Sequence, residues 1–233
     1  MSKILIVATS HVTMPGSDDA TGAWYEEVAA PYWVFRDAGH EVTLATIRGG
    51  EVPFDPRSLT ESPLPEAVRR FHDDEEAVAA ARGSRVLNDL AIDGLDAIFL
   101  AGGHGTMWDF PHNPALGAAL ASMFEKGKVV AAVCHGPAGF VGAKTRDGGA
   151  LVAGRRITCF ADAEERAVGL QDRVPFLLET TLRELGATVT TGEDFAPHVV
   201  EDDTLLTGQN PKSSKPLADR VVAVLDAKAR HAA

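Results

Sequence analysis

The sequence predicts an α/β protein built on a doubly wound, mostly parallel sheet sandwiched by helices, and three observations carry that prediction. Short apolar runs without polar alternation recur at Lys3–Ala8, 96–101 and Val129–Val133, as expected of strands covered on both faces. Stretches of helical spacing separate them, and such alternation of β and α elements is the mark of a parallel sheet with helical layers. Two of the apolar runs end in small-residue turns, Gly102-Gly103-His104-Gly105 and Cys134-His135-Gly136-Pro137-Ala138-Gly139, where the backbone must reverse sharply.

Taken in order, a buried strand at Lys3–Ala8 precedes a helix over 21–37, which Pro31 should bend or reset. A second strand over 41–47 comes after the Ala38-Gly39 stop. Residues 49–95 hold Pro53, Pro56, Pro63 and Pro65 and then an acidic helical stretch at 73–81. That segment is long for one crossover and is expected to add a small cap insertion. The strand at 96–101, a helix over 114–126 and the strand before Cys134 come next. A shorter strand is read at 155–160, and an amphipathic helix over 174–185 stops at Gly186. A strand at 187–191 and a hairpin over 199–207, turning at Asp202-Asp203, complete the sheet, and a helix over 215–230 closes the chain.

At 233 residues, 45% hydrophobic and 24% charged, the composition is that of a globular protein, and 1–233 is read as one domain carrying the insertion at 49–95. The formal net charge of −11 argues against nucleic acid and anionic membranes as partners, because the arginine pairs Arg69-Arg70 and Arg155-Arg156 are isolated. The apolar run after Lys3 is far shorter than a signal-peptide core, and no stretch approaches membrane-spanning length. Two cysteines, Cys134 and Cys159, are too few for a secreted disulfide scaffold of this size, so a reducing cytoplasm is expected.

The chemistry centres on Cys134. A buried strand delivers it to a tight turn, and Pro137 suits the first turn of a helix because its missing N–H is not needed there. A cysteine at a helix N-terminus is expected to have its thiolate favoured by unpaired amides and the helix dipole, and the same amides can hold an oxyanion. Plain core packing is the alternative for any cysteine; the turn and the adjacent His135 weigh against it, and the local pattern is that of a nucleophile elbow. In doubly wound sheets ligands collect at the carboxyl ends of strands. That gives priority to Glu26-Glu27 after the first strand and to Gly102-Gly103-His104-Gly105 after the strand at 96–101.

These pieces form an ordered constellation: Thr21-Gly22-Ala23-Trp24-Tyr25-Glu26-Glu27 with Pro31, Ala101-Gly102-Gly103-His104-Gly105-Thr106-Met107-Trp108-Asp109, and Ala132-Val133-Cys134-His135-Gly136-Pro137. Phe160-Ala161-Asp162-Ala163-Glu164-Glu165 and Leu206-Thr207-Gly208-Gln209-Asn210-Pro211 come after them. Together they resemble the DJ-1/PfpI superfamily, in its Hsp31-like branch of glyoxalase III and chaperone proteins, across nearly the whole chain. The resemblance implies a flavodoxin-like fold related to class I glutamine amidotransferases. It implies that Cys134 is the nucleophile, His135 its base, Glu165 the acid of the triad with Glu164 the less favoured candidate, and Glu27 a buried acid touching the sulfur. It puts the Gly103 and His135 amides in the oxyanion hole, with His104, Gly102 and Trp24 in the substrate pocket. A homodimer and a small reactive carbonyl substrate are expected, with no metal and no cofactor.

The activity so implied is a glutathione-independent conversion of a 2-oxoaldehyde to a 2-hydroxy acid. A chaperone or deglycase of the same branch is the alternative, and whether Trp24, Trp108 and Phe110 line a pocket or a client surface is left open by the sequence. A glutamine amidotransferase would need a downstream His-x-Glu, whereas His198 is followed by Val199-Val200 and His231 by Ala232-Ala233. A peptidase fits an acidic small-molecule cleft poorly. Oxidation of a low-pKa cysteine is a liability of the nucleophile and would be redox sensing only with a regulated downstream effect. Cys159 is a candidate resolving thiol, but a strand cysteine beside Phe160 is more often core, and sulfinic acid at Cys134 is the expected product of mild peroxide.

Overall fold

β1 (Lys3–Ala8) leads to α1 (Tyr25–Asp37), β2 (Glu41–Thr46), α2 (Glu66–Asp73), α3 (Glu75–Arg82), β3 (Arg85–Val86), β4 (Ala97–Leu100), α4 (Thr106–Asp109) and α5 (Pro114–Glu125). β5 (Val129–Val133), β6 (Arg156–Ile157), α6 (Asp162–Ala167), α7 (Leu178–Glu184), β7 (Thr188–Val189), β8 (Val199–Asp202), β9 (Leu205–Gly208) and α8 (Ser214–Ala232) complete the order. This computed structural model describes residues 1–60 and 62–232.

A seven-stranded sheet runs β3-β2-β1-β4-β5-β9-β8. All neighbours are parallel except β8, which closes one edge as an antiparallel hairpin with β9. The chain moves outward from β1 through β2 to β3 and then returns to place β4 on the other edge of β1. The order therefore reverses between β1 and β4, and the crevice at their carboxyl ends is the natural ligand position.

Successive strand residues feed two different cores, as the period of two requires. Ile4, Ile6, Val129, Ala131 and Val133 pack with α1, α2, α3 and α8 on one face. Leu5, Val7, Ile98, Val130 and Ala132 pack with α5 and α7 on the other. Strands buried on both faces read as continuous apolar runs, which is why they are visible in the sequence. Among the described residues no helix is long and apolar enough to cross a membrane.

Several expected boundaries move, each for a long-range or capping reason. α1 starts at Tyr25 rather than at residue 21, because Ala23 pairs with Phe54 through Ala23 N–H to Pro53 O (2.8 Å) and Asp55 N–H to Ala23 O (2.9 Å). The helix continues through Pro31, which forgoes only the bond that would have reached the Glu27 carbonyl. The acidic stretch is split into α2 and α3 at Asp74, which stays extended and accepts the Ala77 N–H at 2.8 Å as an N-cap. α7 is shorter than expected because Pro175 disfavours helical backbone at Val174.

The strands expected at 155–160 and 187–191 do not join the main sheet. β6 and β7 pair with each other in a separate two-stranded sheet, since β9 occupies the edge of β5. Beyond β6 the chain turns to the main sheet instead, where Thr158 N–H donates to Thr207 Oγ1 (2.8 Å) and Phe160 N–H to the Cys134 carbonyl (2.8 Å).

Candidate active site

β5 ends in a residue it can present but scarcely relax. Cys134 has φ +59°, a left-handed conformation costing a non-glycine residue on the order of 1–2 kcal/mol. Its backbone is held from both sides, by Cys134 N–H to Gly208 O and by Phe160 N–H to Cys134 O, each 2.8 Å. The turn passes so closely over β4 that a Cβ at Gly136 would lie 2.4 Å from the Leu100 carbonyl oxygen. The chain then makes a single 3-10 turn, Gly136–Phe140, rather than an α-helix.

That difference matters for the sulfur. The helix dipole expected from the sequence would favour the thiolate, but the thiol is pushed well above its ordinary range by burial, then by the charge and hydrogen bonding of Glu27. The Gly103 N–H, directed at the sulfur, opposes this without prevailing. Glu27 sits on the first turn of α1, fully buried. Burial raises its own pKa well above the carboxylate range, against the opposing contacts with Cys134 and the Gly102 N–H. Its Oε2 accepts that N–H at 2.8 Å, while Oε1 has no conventional hydrogen-bond partner among the described residues. Burial thus favours the protonated carboxylic acid at Glu27, which contacts the sulfur.

Cys134 Sγ also lies 3.2 Å from His135 Nδ1, and His135 Nε2 lies 2.7 Å from Glu165 Oε2. The remaining Glu165 oxygen, Oε1, meets His104 Nε2 at 2.9 Å. Burial disfavours the Glu165 charge, yet the hydrogen bonds from His104 and His135 outweigh it and hold the carboxyl far below its usual range. His104 is brought down to about 4 by burial and by neighbouring His135, with Glu165 working in the opposite direction. Glu164, the other candidate acid, points elsewhere. Successive residues of α6 diverge by about 100°, and Glu164 accepts from Ala161 N–H (2.9 Å), Phe195 N–H (2.7 Å) and Asn210 Nδ2 (2.9 Å), tying two loops together.

Two residues of this array escape sequence reasoning. Arg57 donates through Nη2 toward His104 Nδ1 (3.4 Å), and Asp55 receives Arg57 Nε (2.9 Å), Arg57 Nη2 (2.5 Å) and Thr21 Oγ1 (3.0 Å). The pair Asp55-Pro56 does announce a helical turn, with Pro at its first position. Nothing in the sequence ties that turn to His104.

A cleft of about 680 Å³ opens over Cys134, with Trp24, Phe160 and Phe195 among its walls and Arg57, Glu26 and Lys212 among its polar lining. Trp24 thus belongs to the cleft, Phe110 is fully buried in the core, and Trp108 stacks on His11. Gly103 and His104 line it, whereas Gly102, expected there from the sequence, does not and instead gives its N–H to buried Glu27. A Cβ at Gly102 would meet Glu27 Oε2 at 2.5 Å, and Gly103, at φ +99°, would strike Gly22 O at 2.4 Å. Cys159 is buried among the α5 and α7 core residues, and burial raises its thiol too.

The ligand atoms of His104, His135 and Glu165 lie within 4.8 Å of one another, a spacing that suits a metal ion. The guanidinium contact on His104 Nδ1 leaves the proton on Nε2, so a cation would have to displace it beside the positive Arg57. The arrangement instead suits proton transfer: an imidazole at the thiol, a carboxylate of lowered pKa behind it, and a second carboxyl of raised pKa in contact with the sulfur.

A search against protein families matches residues 20–224 to the DJ-1/PfpI family. The glutathione-independent glyoxalase hsp3101 of Schizosaccharomyces pombe is 33% identical over 95% of this chain and 95% of that protein. Among solved structures, the Rapid Encystment Protein 24 kDa of Francisella tularensis superposes with a TM-score of 0.93 at 35% identity, covering 97% of this chain and 99% of that one. Glyoxalase III of Candida albicans superposes at 0.88 with 30% identity, covering 96% and 97%.

Proposed function

The chain belongs to the DJ-1/PfpI family, and from that premise we propose that it is a glutathione-independent glyoxalase converting a small 2-oxoaldehyde, such as methylglyoxal, to the corresponding 2-hydroxy acid. The observation that carries this reading is the unbroken path from the Cys134 sulfur through His135 to Glu165, with Glu27, whose protonated form burial favours, in contact with the same sulfur. Family membership and the named activity of relatives aligned over nearly the full chain support it.

In this reading His135 Nδ1 takes the thiol proton and the sulfur adds to the aldehyde carbon, forming a C–S bond as the carbonyl electrons move to oxygen. The imidazolium so formed is stabilised by ionised Glu165. The Gly103 and His135 amides receive the developing oxyanion, which becomes the hydroxyl of a hemithioacetal on protonation. His135 then removes the proton from that carbon, and the ketone oxygen is protonated by Glu27 to give an enediol. The His135 imidazolium then returns its proton to the neighbouring carbon while the hydroxyl proton on the sulfur-bearing carbon passes back to Glu27, which yields a thioester and restores both groups. Water cleaves the C–S bond, releasing the 2-hydroxy acid and restoring the thiol. Overall one water is consumed and no electrons leave the substrate, so no external oxidant or thiol is required.

Segment 49–95, which supplies Arg57, Pro63 and Pro65 to the cleft, serves here as a cap limiting the site to small substrates. Purified protein incubated with methylglyoxal and no added thiol tests the assignment, with substrate loss and lactate formation both followed. Consumption matched by lactate is expected. Absence of turnover by protein whose Cys134 is shown to be reduced would end this reading.

A further inference from the structure

Arg57 comes from the proline-rich segment, outside every motif that marks the site, and its guanidinium reaches the buried array. It is half-exposed, with a side-chain accessibility of 38%, whereas its partner Asp55 has none. Two bonds to Asp55, which also receives Thr21 Oγ1 and the Arg57 N–H (2.9 Å), fix the guanidinium plane. Thus anchored, Nη2 faces His104 Nδ1 at 3.4 Å.

Arginine can only donate, so His104 Nδ1 must accept. A neutral imidazole accepting at Nδ1 carries its hydrogen on Nε2, the atom that meets Glu165 Oε1 at 2.9 Å. Glu165 thereby receives an N–H on each oxygen, from His104 and from His135, and is pinned in one rotamer. If His104 took the other tautomer, its Nε2 lone pair would face a carboxylate oxygen, and Glu165 would lose a donor and a positional constraint.

We propose that Arg57 is a positioning residue, locking His104 as the neutral Nε2–H tautomer so that Glu165 keeps its second oxygen aimed at His135. The catalytic consequence rests on the glyoxalase reading above; the tautomer does not. The charged and titratable groups facing His104 are Arg57, Glu165 and His135, with Asp55 behind Arg57. Removing the guanidinium removes both the donor at Nδ1 and the nearest opposing charge, so His104 becomes free to take up a proton there.

The test uses long-range proton–nitrogen spectra of the histidine rings in the full chain from pH 5 to 8, with Arg57→Met and His104→Gln variants. In the unmodified protein His104 is expected to remain one neutral Nε2–H species throughout. In Arg57→Met it is expected to show mixed tautomers or to titrate inside this window. Arg57→Met leaves the buried Asp55 charge unpaired, so the double variant Asp55→Asn/Arg57→Met is measured beside it and is expected to give the same His104 signature in a folded protein. An unchanged Nε2–H signal in both variants overturns the proposal whether or not the protein turns over methylglyoxal.

Where turnover is present, Arg57→Met should lower kcat with a new acidic ionisation in its pH profile. In a His104→Gln background, whose amide both accepts and donates without titrating, Arg57→Met should add no such ionisation. A pH profile identical to that of the unmodified protein excludes the catalytic consequence while leaving the tautomer assignment to the spectra.

Discussion

Glu27 and Cys134 are two buried acids in contact: burial favours the protonated form of both, and Glu27 raises the thiol further while the sulfur contact works the other way on Glu27. A reactive sulfur kept as a thiol until substrate arrives differs from the preformed thiolate that a helix N-terminus would provide. In the proposed reaction His135 is then the agent of activation, and Glu27 acts as a proton donor in place of a fixed charge.

Glu27→Gln keeps an oxygen for the Gly102 N–H but cannot ionise or donate an acidic proton. Its effect on turnover should be a loss of about 10²–10⁴-fold in kcat, the usual contribution of a positioned acid. The midpoint for iodoacetamide alkylation of Cys134 should move to lower pH, because a group that raises the thiol pKa is gone. The sign for stability is opposite to that for activity. An acid whose folded pKa is raised disfavours folding as pH rises above its ordinary value of 4.5, so the variant should resist urea better than the parent at pH 7. A variant that is both less stable and equally active would contradict this.

At Cys134 the backbone carries strain that the side chain does not relieve. Cys134→Ala and Cys134→Gly should both abolish turnover. Because φ +59° penalises alanine and not glycine, the glycine variant should be more stable than the alanine variant by about 1 kcal/mol in urea titration. Equal stabilities would show that the turn relaxes once the sulfur is removed.

The acid sensitivity of the fold should trace partly to His104. Its folded pKa of about 4 lies below the ordinary 6.5, so its stabilising contribution is complete above pH 6.5 and is lost as pH falls toward 4. Between pH 7 and pH 5 this one residue should account for about 2 kcal/mol of lost stability. Urea midpoints at the two pH values, compared with those of His104→Gln, measure it: the variant should lose less by that amount.

Gly102→Ala brings a methyl group against Glu27 Oε2, the Val133 carbonyl and the His135 amide at 2.5–2.7 Å. Two of the three neighbours are backbone, so the strand ends must part. A destabilisation of about 1–3 kcal/mol is expected, with a loss of activity larger than the stability change explains. Retained activity in a folded Gly102→Ala protein would show that the Glu27 carboxyl is not held by that amide.

The buried strands and the residues at their ends are legible in the sequence. Val129–Val133 reads as a strand because it serves two cores at once, and Cys134, Gly102 and Gly103 come from where such strands stop. Thr21–Trp24 reads as helix but is not, because its extended form depends on pairing with residues 53–55, which local periodicity does not encode. The thiol's protonation preference departs from the expected one because it is set by full burial against Glu27, a residue distant in the chain on α1. Arg57 is invisible in the sequence because its function is geometric: an arginine after Asp-Pro acquires its role only when Asp55 aims it at His104.

The reversal of strand order at β1 and β4 also bears on how the protein acquires activity. β1 pairs with β4 from Ile4 to Ala97, across all of β2 and β3, and the site spans the seam thus closed. Loop closure of that length is slow compared with helix formation. During refolding, helical content should therefore return first and reactivity last, making Cys134 a reporter of the final docking of the two halves of the sheet.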